Sequence, residues 1–93
     1  MSAAPDVLRA IAREIRGHCY SPAVSRVDRL YGPSQAKLRR TVLELATGKP
    51  AKASETGYKA TRAAMLAAFG IGPGECLAHE DRALDQALRS FEP

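Results

Sequence analysis

The chain has no Trp, three Tyr, two Phe and only two Cys among its 93 residues. No run is apolar enough, for long enough, to cross a bilayer. In the first thirty residues Arg9, Arg13, Glu14 and Arg16 interrupt every apolar stretch, so no secretory leader is expected. Two cysteines outside a secretory context suggest reduced thiols and a cytoplasmic location. No stretch alternates apolar and polar residues with period two for long enough to read as a strand. Neither an internal repeat nor a low-complexity tract is present. The length suits one domain spanning residues 1–93, with a modest core.

What remains is helical. Ala is abundant, which favours helix and close helix packing. The expected fold is all-α, a compact orthogonal bundle of about five short helices. The first runs from about Pro5 to Gly17, with Val7, Leu8, Ile11 and Ile15 on one face. Arg9, Arg13 and Arg16 line the other. The second starts at Ser21 as cap, with Pro22 as first helical residue, and stops at Gly32 before Pro33. Val24, Val27, Leu30 and Tyr31 form its stripe. The third runs from Ser34 to Gly48 on a seam of Leu38, Val42 and Leu45. Leu43 lies off that seam, so this helix should touch something on a second side. The segment Gly48–Gly57 reads as a mobile loop. The fourth helix begins near Ser54 and ends at Gly70. Its large apolar residues, Tyr58, Met65, Leu66 and Phe69, are filled in by Ala60, Ala63, Ala64, Ala67 and Ala68. A helix apolar nearly all round is buried in the core or against a second copy. After a turn at Ile71–Gly74, the fifth runs from about Glu75 to Phe91, with Leu77, Leu84, Leu88 and Phe91 inward.

Charge is unevenly distributed. From Arg26 to Arg62 nine bases face three acids, a balance of +6. From Ala63 to Pro93 two bases face five acids, a balance of −3. A basic middle and an acidic end suit a polyanion-binding surface, electrostatic self-association, or a merely solvated basic face.

One stretch, RLYGPSQAKLRR, joins the second and third expected helices. Val24 to about Val42 resembles a helix-turn-helix: Gly32 fits the turn, Val27, Tyr31, Leu38 and Val42 fit apolar positions, and three bases open the second helix. Asp28 and Pro33 depart from the motif, at a close helix crossing and at a packed apolar position. On this reading Gln35, Lys37, Arg39 and Arg40 contact nucleic acid, and Lys49 and Lys52 extend the surface. The alternative is a protein-interaction module, an adaptor, inhibitor or small subunit, that docks its basic face on an acidic partner. Leu43 or the fourth helix would then supply apolar contact.

Other chemistry is poorly represented. His18, Cys19, Cys76 and His79 are all the His and Cys in the chain, and by number they make a tetrahedral zinc set. Adjacent His18 and Cys19 diverge, however, and no C-x-x-C pair is present, so no metal or other cofactor is expected. Gly48-Lys49 is followed by Pro50, which rules out a P-loop. No nucleophile, base and orienting group line up, so an enzyme is not expected.

Overall fold

The computed structural model describes residues 3–18, 21 and 23–92. Cys19 and Pro22, both used above, lie outside the described residues. The fold is all-helical. Among the described residues there are four α-helices, α1 (Pro5–Arg16), α2 (Ala36–Thr47), α3 (Tyr58–Ala68) and α4 (Leu77–Ser90), with 3-10 turns at Val27–Leu30 and Pro33–Gln35 before α2 and at Ala53–Glu55 before α3. The Cα radius of gyration is 12.0 Å, against about 12.3 Å for a compact domain of this length.

α1 forms as its sequence dictates. Pro5 fits the first turn, Asp6 lies at the positive end of the helix dipole, and Arg13 and Arg16 lie at the negative end. Leu8, Ile11, Ala12 and Ile15 fall on one face and are buried. They meet Val27 and Leu30 from the first 3-10 turn, Leu38 and Val42 from α2, Met65 and Ala68 from α3, and Leu84 and Leu88 from α4. α2 is the central element, packed on both α1 and α3. Leu43 is buried too, against the loop after α2 and the start of α3. The second contact expected of it is therefore internal.

α3 closes on a Schellman cap. Gly70 has φ 69°, which L residues other than glycine rarely adopt. Its N–H donates to the Ala67 carbonyl at 3.1 Å and the Ile71 N–H to Leu66 at 2.9 Å, the paired pattern of that motif. Contrary to expectation, α3 is not buried all round. Thr61, Met65 and Ala68 face the core, while Ala60, Ala63 and Ala67 are exposed. It also begins later than Ser54, because Thr56 and Gly57 are non-helical and the Thr56 carbonyl accepts from Arg39 at 2.8 Å.

The largest departure is the second expected helix, which is a single 3-10 turn. The groups an α-helix would use are bonded elsewhere. The Arg26 N–H donates to the Asp85 carboxylate at 2.6 Å. The Val24 carbonyl accepts from the guanidinium groups of Arg26 at 3.1 Å and Arg89 at 3.2 Å. Tertiary bonds from α4 thus replace the helical ladder. In α4 itself Leu84 and Leu88 are fully buried, but Leu77, expected inward, is 68% exposed.

Candidate nucleic-acid interface

The structure separates the six expected contact residues into a surface group and an internal one. Lys37 and Arg40 are exposed on α2. The Arg40 side chain lies 4.0 Å from the Glu44 carboxylate, with both partly in solvent. Gln35 is half-buried at the start of the helix. Lys49 and Lys52 are exposed in the segment leaving α2. The expected mobile loop is fastened: the Ala51 N–H donates to Glu44 at 2.8 Å and the Lys52 N–H to Glu55 at 2.7 Å.

Arg39 departs from the expectation that it faces a partner. Its guanidinium donates to the carbonyls of Leu30 at 2.8 Å, Gly32 at 2.6 Å and Thr56 at 2.8 Å. One side chain therefore ties the turn before α2 and the loop after it to the helix. Gly32 allows the turn, since its φ of 90° with ψ of 153° is accessible essentially only to glycine.

Two further bases of the middle segment, Arg26 and Arg62, are likewise engaged within the molecule, and their partners are acids of the last segment. Arg62 donates to Glu80 at 2.9 Å and Asp81 at 2.8 Å. Arg26, almost fully buried, pairs with Glu92. Asp85 accepts from the Arg26 backbone and from Arg89 at 2.9 Å. The Arg62 guanidinium holds the Glu80 carboxyl below its ordinary range, and Arg26 does the same for Glu92. At Asp85 burial opposes ionisation, but the Arg26 N–H and the Arg89 guanidinium outweigh it and lower the pKa. The segregation of charge along the sequence thus closes α4 onto the preceding turn and α3.

The arginines of α1 do not extend the α2 surface at its first turn. The groove there, about 390 Å³, is lined by Glu14 and His18 from the α1 side and by Ser34, Gln35, Lys37 and Thr41 from the other. Arg9 pairs with Asp6, and Arg16 acts on Glu92. The His18 ring Nδ1 lies 3.0 Å from the Glu14 carbonyl. Among the described residues, no three metal-ligating side chains form a group. Nor is any helix among them long and apolar enough to cross a membrane.

One feature had no sequence signal. Tyr31, placed by periodicity on a helical stripe, stacks on Tyr58 with ring centroids 3.7 Å apart and is 51% exposed. No family model, curated protein or solved structure matches the chain.

Proposed function

We propose that this is a small non-enzymatic regulatory protein that lays the outer face of α2 and the loop after it against the phosphate backbone of nucleic acid. The observation that carries the reading is the set Lys37, Arg40, Lys49 and Lys52, all exposed along one helix and its outgoing segment. Among the described residues, the one ion pair their side chains make is Arg40 with Glu44, at 4.0 Å. The helix presenting them is held at its N-terminal end by Arg39. Phosphate contact fits this set better than base reading, because three of the four are lysines, compact charges that pair with a phosphate without a fixed hydrogen-bond geometry. Gln35 stands ready for a base edge only if its half-buried side chain turns outward. Two copies would suit a symmetric site, which sedimentation with a duplex would reveal.

The test is fluorescence anisotropy with a labelled mixed-sequence duplex, at low and near-physiological salt. Lys37→Ala/Arg40→Ala/Lys49→Ala protein runs alongside. Arg39 is left intact, so that a loss of binding is not a loss of fold. Binding that weakens with salt and is lost in the triple variant supports the reading. Equal binding by the variant removes α2 from it.

A second reading takes an acidic protein surface as the partner of the same face. It is favoured by the four-residue turn standing where a helix-turn-helix needs its first helix. A partner retained on immobilised protein after nuclease treatment, and released by the triple variant, would select it.

A further inference from the structure

A second surface is apolar and electrically balanced. Ala60, Ala63 and Ala67 follow one another along the exposed side of α3, at the spacing that puts residues on one helix face. Beside them, between the start of α3 and the start of α4, lies a groove of about 600 Å³ lined by Tyr31, Tyr58, Ala63, Leu66 and Leu77. Leu77 is 68% exposed and Tyr31 51%, the two most exposed large apolar side chains among the described residues, and both edge this groove. Singly exposed apolar residues are ordinary; two flanking one concavity, next to an alanine face, are a patch. Tyr31 lies flat on Tyr58, with ring planes 20° apart. It is thus already ordered, and covering it costs little further side-chain entropy.

Two properties of the patch select its occupant. The first is charge. The charged side chains lining the groove, Lys59, Arg62, Glu80 and Asp81, sum to zero, and Arg62 engages both carboxylates. From Ala63 to Gly70 the sequence carries no charge at all. The chain as a whole is +4, so the basic face of α2 would repel its own copy. The balanced patch can meet itself without that penalty, and it offers a strongly charged partner nothing to pair with. The second property is shape. A two-fold contact sets one patch against the same patch, so each copy must supply both a projecting group and the recess that takes it. Leu77 projects, and the groove beside it is the recess. Alanines along α3 let two such helices approach to about 8 Å, the short end of the range for packed pairs. A standard interface takes about 800 Å² from each partner, and one side of a body 31 × 28 × 27 Å across supplies about that area.

We propose that the face formed by α3, Tyr31 and Leu77 binds a second copy of this chain across a two-fold axis, the Leu77 of each copy entering the groove of the other. The contact is independent of the nucleic-acid reading, since none of Lys37, Arg40, Lys49 and Lys52 lines the groove.

The experiment is sedimentation equilibrium of the intact protein from micromolar to millimolar concentration, at low and at high salt. A dimer is expected whose dissociation constant changes little with salt, because its contacts are apolar and its charges balanced. Leu77→Glu and Ala63→Glu should each raise that constant by about a hundredfold or more, since every substitution counts twice and sets like charges in an apolar contact. Both positions are exposed in the single chain, so the fold should survive, and unchanged thermal unfolding of dilute protein checks it. Amide NMR of the parent on dilution should show shifts at Tyr31, Ala63 and Leu77 and none at Lys37 or Arg40. A parent that stays monomeric throughout overturns the proposal and leaves the patch to a different partner. So does a dimer whose dilution shifts lie on α2, one that either variant forms as well as the parent, or one that high salt dissolves, as it would a pairing of the basic middle with the acidic end.

Discussion

Replacing Arg39 by Ala would distinguish an internal clamp from a partner contact. The substitution removes three hydrogen bonds from one guanidinium to backbone carbonyls. A bond to a charged group contributes about 1.5–3 kcal/mol when its partner is shielded. The bond to Gly32 is exposed and water replaces it, while those to Leu30 and Thr56 are partly buried. A loss of about 2–4 kcal/mol follows for the two shielded bonds after partial rehydration. A domain of this size has roughly 5–14 kcal/mol in total. At about 5 °C per kcal/mol, Tm should fall by about 10–20 °C. Arg39→Lys should recover little, because an ammonium on a flexible stem cannot span three carbonyls in the geometry of a planar fork. Urea unfolding and calorimetry would read both variants. If Arg39→Ala unfolds within about 0.5 kcal/mol of the parent, the level of an ordinary surface change, yet loses nucleic-acid binding, the clamp argument is wrong.

Two further outcomes follow from the same contacts. The carboxyls of Glu80, Asp85 and Glu92 are all held below their ordinary values. Their contribution is therefore present above the unfolded-state values of 4.5 for Glu and 3.8 for Asp, and is lost as pH falls through the lower folded values. Tm should be flat from pH 7 to about 5 and then fall. Glu92→Gln should reduce that fall; an identical profile would refute its share. Gly32→Ala should cost about 1–3 kcal/mol. Space is not the reason, since nothing lies within 4 Å of the added carbon. The cost is backbone strain, and an unchanged urea midpoint would contradict it.

Much of the fold was legible because its signals are local. The spacing of Leu8, Ile11 and Ile15 makes a helix wherever a core is available. Gly70 stops α3 through bonds to residues three and five positions back. The second helix was misread because its fate is decided from far away. Ser21 and Pro22 are sound start signals, but the bonds that claim Arg26 and Val24 come from residues 59 and 65 positions on. Leu77 was misread for a different reason: it keeps the helical phase of Leu84 and Leu88 but stands at the first residue of α4, and it edges a groove instead of entering the core. Arg39 was read as a surface base because its three carbonyls meet only once the chain has folded back on both sides of α2. The three acids of α4, Glu80, Asp81 and Asp85, all pair with arginines, and so does Glu92 just beyond its end.

That pairing alters what the sequence charge implies for binding. Nine bases between Arg26 and Arg62, all meeting phosphates, would give a slope of log K against log salt near −8, at about −0.9 per contact on a duplex. Arg26, Arg39 and Arg62 have their guanidinium groups engaged internally. Freeing Arg26 or Arg62 would leave a shielded carboxylate behind, which costs more than a surface phosphate contact returns. The four bases of the proposed interface, Lys37, Arg40, Lys49 and Lys52, predict a slope of about −3.6, or about −4.5 if Lys59 joins them. Each alanine among the four should make the slope shallower by about 0.9. A measured slope near −8 would mean that the internal arginines leave their partners on binding. In that case the contacts that close α4 would open on complex formation, and amide exchange in α4 would speed up on adding duplex even though Tm still rises, as ligand linkage requires.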